Sequence, residues 1–178
     1  MKQVIKSLWF ALLLSIVVTI PTFAMEWNWE VVPGHHNQSI LLEDGTTSAE
    51  DSIHRYGRGD YLADGQIEIT NMQDGTLVVE AMTFAHMNVD RILHSFFVDV
   101  WDEEENDWIQ IANWHVEKTK EEVENEELFM LKSTVILEDC EVGLYYRARG
   151  LHGVELYDEL EACATETDGV QLTDWRDW

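Results

Sequence analysis

Basic residues are scarce in this chain. Eleven Lys and Arg face 35 Asp and Glu across 178 residues, a formal net charge of −24. Nucleic-acid binding depends on neutralising phosphates with Lys and Arg, so this balance sets nucleic acid aside as a partner. Anionic membrane surfaces are disfavoured for the same reason. Glycine patterns that cradle phosphates or dinucleotides are missing, as is a nucleophile elbow around any serine. No internal repeat or low-complexity linker divides the chain, and its length suits one domain able to bury a proper core.

Long hydrophobic runs are limited to one. Residues 8–20 are uncharged and apolar, Lys2 and Lys6 precede them, and Thr22, Phe23 and Ala24 follow. The run is shorter than the roughly 20 residues needed to span a bilayer, so residues 1–24 are expected to be a signal peptide cut after Ala24, with an uncleaved anchor as the alternative. The mature protein would be secreted, with no stable membrane insertion after cleavage. Its formal charge would be −26, since both removed charges are lysines. Such acidity reads as solubility or, alternatively, as binding of divalent cations or basic partners.

Cysteine is nearly absent. Cys140 and Cys163 are the two present, so one intramolecular pairing exists, and in an oxidising compartment they are expected to form a disulfide. The alternative is two free buried thiols.

What is present is alternation. Residues 25–57 hold no period for long and read as an irregular arm, with a short edge strand at 39–42 and a helical turn over 48–54 capped by Ser48. Residues 65–71 (GQIEITN) alternate as a half-buried strand requires, Asp74 and Gly75 signal a hairpin, and 76–84 is the returning strand. Residues 91–101 place Ile92, His94, Phe96, Val98 and Val100 on one face, and 108–116 follows, completing a meander. Residues 117–126 read as a charged loop. Strands are expected again at 129–137, 143–151, 155–165 and 170–172. Seven or so short strands separated by turns predict an all-β sandwich of the immunoglobulin or fibronectin type III kind over residues 58–178.

Two stretches, GLYYRARGLHG at 143–153 and CATETDGVQL at 163–172, carry a resemblance. With Arg58, Gly59, Tyr61 and Leu62 upstream and Trp101, Trp108 and Trp114 in the middle, residues 58–172 resemble a family of small secreted proteins of Gram-positive bacteria known only as a domain of unknown function. The chain departs from that family in its acidity and in the charged insertion at 117–126. The resemblance implies secretion and a sandwich, and carries no activity.

Candidate chemistry is sparse. The tripeptide Arg58, Gly59 and Asp60 matches one that adhesion receptors read, but so short a motif arises readily by chance. Asp99, Asp102, Glu103 and Asp107, with Glu104, Glu105 and Asn106, crowd oxygens into one strand-to-strand loop as a weak calcium site would; the helix-loop-helix calcium spacing is not met, and a solvated hairpin is the plainer reading. The seven histidines include no pair spaced for one helix face, so no metal centre is expected. Carboxylates are too numerous for their count to indicate glycoside hydrolysis.

Tyr145, Arg147 and Arg149 share one strand face, with Tyr146 on the other. Tyr146 reads as a buried corner tyrosine. The arginines read either as partners of acidic neighbours or, with Tyr145, as an exposed platform. Trp108 and Trp114, together with Trp27, Trp29 and Trp175, are further candidates for surface contact. The chain is thus expected to be a non-enzymatic extracellular binding module for a protein or glycan, without a cofactor unless calcium binds weakly. A secreted hydrolase of wall or host polymers and a calcium-stabilised surface protein are the alternatives.

Overall fold

The computed structural model describes residues 39–57, 61–123 and 127–177. They form β1 (Ser48–His54), β2 (Leu62–Asn71), β3 (Leu77–Ala85), β4 (Arg91–Asp102), β5 (Asp107–Thr119), a 3-10 turn (Lys120–Val123), β6 (Met130–Leu137), β7 (Tyr145–Leu156), β8 (Glu159–Glu166), β9 (Val170–Gln171) and a second 3-10 turn (Trp175–Asp177). The strands make two antiparallel sheets packed face to face, one ordered β1-β2-β3-β6 and the other β5-β4-β7-β8, with β9 beside β7. The expected sandwich is present, with nine strands among the described residues. Hairpin pairs, β2 beside β3 and β4 beside β5, are joined in the sheets to non-consecutive neighbours, β3 beside β6 and β4 beside β7.

Four local expectations are corrected. Ser48–His54 is a strand paired along its whole length with β2, because an edge partner for β2 satisfies seven residues of backbone where one capped turn would satisfy few. The expected meander is split: β3 to β4 crosses between sheets, which lets the apolar faces of both hairpins bury against each other. The residues 39–42 make only an isolated parallel bridge, Leu41 to Gly169. The charged loop expected at 117–126 is strand as far as Thr119, then a turn that buries Val123.

Gly75 has φ +85° in the β2–β3 hairpin, as its Asp-Gly signal predicts, whereas the strand expected over 155–165 is interrupted: Tyr157 and Asp158 both take positive φ in a two-residue turn from β7 to β8. Tyr146 is buried, and its hydroxyl donates to the Glu141 carbonyl at 3.0 Å, as a corner tyrosine should.

The core has two apolar parts. Ile67, Ile69, Leu77, Val79, Phe96, Val98, Tyr146 and Ala148 form the larger; Leu62, Val89, Ile92, Leu128, Leu131, Val154 and Leu156 form the smaller. Between them, by register, lies a polar layer. The Thr83 hydroxyl sits 2.9 Å from His152 Nδ1 and 3.2 Å from His94 Nδ1, His152 Nε2 is 2.8 Å from the Thr165 hydroxyl, and His94 Nε2 is 2.8 Å from that of Ser133. A hydroxyl has one hydrogen, so when Thr83 bonds both rings it donates to one and accepts from the other; the two neutral imidazoles then hold opposite tautomers. Gly65 and Gly150 make the space for this layer, because a Cβ at either would stand 2.7 or 2.6 Å from the His152 ring.

Cys140 and Cys163 are free, which overturns the expected disulfide. Register gives the reason. Cys140 lies beyond Leu137, which pairs with Leu77 at the start of β3, whereas Cys163 packs at Gly65, which pairs with Thr83. Six strand residues separate those points, about 20 Å at ~3.4 Å per residue, against a Cα limit of roughly 7 Å for a disulfide. Adding reductant is therefore expected to leave the melting temperature unchanged, where a native disulfide would contribute about 3 kcal/mol. A downward shift on reduction, measured by calorimetry, would contradict the free thiols.

Candidate functional site

The two long sides of the sandwich differ. On one, the edge strands β1 and β8 are stitched together: Arg55 Nη2 donates to the Ala162 carbonyl at 2.9 Å, and the Glu166 amide donates to Asp51 Oδ2 at 2.7 Å. On the other, β5 and β6 meet at the turn that buries Val123 and Leu128, then diverge. Their divergence leaves an open groove of about 590 Å³. Trp114, Val100, Ala112, Leu144 and Tyr146 line it, Ile111 and Ile136 stand at its lips, and Glu138, Asp139 and Glu141 give it an acidic end.

Local sequence explains each side of the groove. Ala112 and Trp114 alternate inward along β5, and Trp114 stacks on Phe96 with ring centroids 5.4 Å apart and planes 22° apart. One face of the indole is thus fixed against the core. Ile111 is the extra residue of a β-bulge, since Asp99 pairs with Gln110 and Val98 with Ala112, and the bulge leaves its side chain 46% exposed. Ile136 belongs to the outward-facing set of β6 and is 61% exposed. Burial pushes the Tyr146 hydroxyl up to about 12, so it lines the groove as a neutral phenol.

The residues singled out in the sequence separate into different places. Arg147 and Arg149 are not an exposed platform: each is 1% exposed, on the face of β7 that points away from the other sheet. The acid that buries them is Asp99, whose Oδ2 accepts from Arg147 Nε at 2.8 Å and from Arg149 Nε at 2.7 Å, while its Oδ1 accepts from Arg149 Nη2 at 2.7 Å. Glu166 takes Arg147 Nη1 at 3.1 Å. Trp108 is buried over Arg147, 4.7 Å from ring centroid to guanidinium, and Phe97 lies 5.3 Å from the Arg149 guanidinium. These side chains build a charged layer inside the protein. Tyr145 stands apart, donating to Asp44 Oδ1 at 3.0 Å.

Trp114 is the one candidate that the fold carries into the groove, and Cys140 lines it too. Trp175 is exposed near the C-terminus. Trp27, Trp29 and the tripeptide at Arg58 lie outside the described residues. In the acidic loop, Asp102 Oδ1 accepts from the Glu104 and Glu105 amides, and Asp107 Oδ1 accepts from the Trp108 amide, so both carboxylates shape the turn; Glu103 is exposed. Among the described residues, no group of three or more His, Cys, Asp or Glu is placed to hold a metal ion.

Both thiols, Cys140 at the groove and Cys163 in the smaller part of the core, are quiet. Burial, with Asp139 beside it, raises the Cys140 thiol above its ordinary value, and burial pushes Cys163 up to about 11. Neither is an activated thiolate. The groove itself was hidden from sequence reading. Its lips are isoleucines that any strand would carry, and only the divergence of two strands from different sheets makes them neighbours. The unusual run of Ile109, Ile111 and Trp114 beside an acidic turn was the available signal.

Comparison with family models, with curated proteins and with solved structures returns no match. The site is therefore read from its own geometry.

Proposed function

We propose that this chain is a secreted, non-enzymatic binding module that engages a protein partner through the groove between β5 and β6. The single observation that carries this reading is an open apolar channel between two edge strands, floored by Trp114 and Tyr146, with exposed Ile111 and Ile136 at its lips. Exposed aliphatic side chains around an aromatic floor are the composition of an interface centre, and the acidic end supplies a polar rim. A protein suits the channel better than a glycan, since its lips, Ile111 and Ile136, are exposed aliphatic side chains that bury against apolar side chains and offer nothing to sugar hydroxyls. An extracellular setting is supported by the leader-like first 24 residues and by the strong net charge.

Photocrosslinking tests this. The chain carrying p-benzoylphenylalanine in place of Ile111 or Ile136 is expected to form a discrete protein adduct in the extracellular fraction of its source. The same group in place of Tyr157, exposed in the β7–β8 turn, serves as control. Equal labelling at all three positions would refute a partner in the groove.

A further inference from the structure

The two lips of the groove are edge strands of different kinds. β5 is guarded, because the bulge at Ile111 breaks its register and bends it out of line for a further partner. β6 is not. It pairs with β3 residue for residue from Met130 to Leu137 without a shift, and among the described residues no strand lies on its far side. Proteins commonly protect such an edge with an outward lysine. Here the only lysine of β6, Lys132, is drawn back across β3, its Nζ 2.7 Å from Glu80 Oε1. Thr134 also turns that way, donating to Glu80 Oε1 at 2.9 Å. The remaining outward side chains, Met130 and Ile136, are exposed and apolar.

We infer that, on the reading of the groove as a protein-binding site, its occupant is an extended, basic segment of another protein that adds to β6 as a fifth strand. Backbone pairing to β6 gives such a segment its register, and its alternate side chains enter the channel toward Trp114, Val100 and Leu144. The charge of the occupant follows from the groove end, where Glu138, Asp139 and Glu141 line the path, and from the net charge of −24. The same charge opposes a second copy of this chain as occupant, because two such edges would bring like charges together.

The test uses three eight-residue acetylated peptides: alternating lysine and valine; the same peptide with alternate backbone nitrogens methylated; and alternating glutamate and valine. Binding is followed by fluorescence anisotropy, and by amide hydrogen exchange along β5 and β6. The lysine peptide is expected to bind, to weaken at least tenfold between low and about 0.3 M salt, and to protect amides of β6 but not those around Ile111. Methylation removes donors while keeping the side chains, so the methylated peptide is expected to bind at least tenfold more weakly. Ile136→Lys restores an edge charge at an exposed site and is expected to reduce lysine-peptide binding similarly, with thermal melting confirming that it folds. Equal binding of the methylated peptide, equal binding of the glutamate peptide, or a homodimer through β6 in sedimentation would each overturn the inference. If the lysine peptide fails while the crosslinker at Ile111 and Ile136 still captures a protein, strand addition by a basic segment is wrong and the groove reading stands; if that crosslinking also fails, the groove reading falls.

Discussion

Lowering the pH from 7 to 5 is expected to destabilise this fold by about 4 kcal/mol, roughly 2 kcal/mol for each of His94 and His152. Both are buried in the layer that divides the core. Burial pulls His94 down to about 4, and burial, with His94 beside it, pulls His152 down to about 3. The native state therefore keeps both rings neutral well below the ordinary histidine value of 6.5, at which the unfolded chain begins to bind protons. Below that value the unfolded state holds more protons than the native one, so stability falls as pH falls. The loss continues until pH reaches the native values, near 4 and 3.

The interval from pH 6.5 to 5 isolates this effect, because ordinary carboxylates titrate below it. Urea midpoints measured across that interval should give a slope approaching two protons taken up on unfolding, with a smaller contribution from His115, which burial also lowers. His152→Asn should be less stable at pH 7, since it gives up bonds to Thr83 and Thr165, yet its slope should fall by about one proton. A flat profile in the wild type would mean that the rings are protonated in the native state, against the burial described.

The second large effect is expected at Asp99. Its carboxylate is fully buried and is shared by Arg147 and Arg149. Asp99→Ala removes the anion and leaves two buried cations with Glu166 as the carboxylate still bonded to Arg147, which should destabilise by about 3 to 5 kcal/mol. Asp99→Asn keeps the shape and an acceptor, so its loss should be smaller. The combined change Asp99→Leu, Arg147→Met and Arg149→Met should recover much of the stability, because a well-packed apolar cluster removes the desolvation of three charges, while Glu166 keeps the Ser39 hydroxyl as a donor. Denaturant unfolding of the four proteins checks the order. If Asp99→Ala is as stable as the wild type, the layer is not the closed ion network that its distances describe.

These two layers show how far the sequence could be read. The alternation of Ile92, His94, Phe96, Val98 and Val100 placed His94 on the inner face, and the structure puts it there. It could not reveal His152 as its neighbour, because the two rings lie on different strands and meet only through the pairing of β4 with β7. Tyr146 was legible as a corner tyrosine, since its hydroxyl partner is five residues upstream. The disulfide was not legible, as two cysteines in a chain indicate a pairing without indicating a distance.

The sequence by itself determined most of the period-two strands, the hairpin at Gly75 and the sandwich class. Each of these depends on neighbours a few residues apart, or on which side of a pleat a residue falls. Only the tertiary structure decided that Arg147 and Arg149 are buried against Asp99, that Cys140 and Cys163 stay apart, and that β5 and β6 open into a groove. Those outcomes depend on which strands become neighbours, and that choice is made by the packing of two whole sheets, to which every strand contributes and no single segment is sufficient.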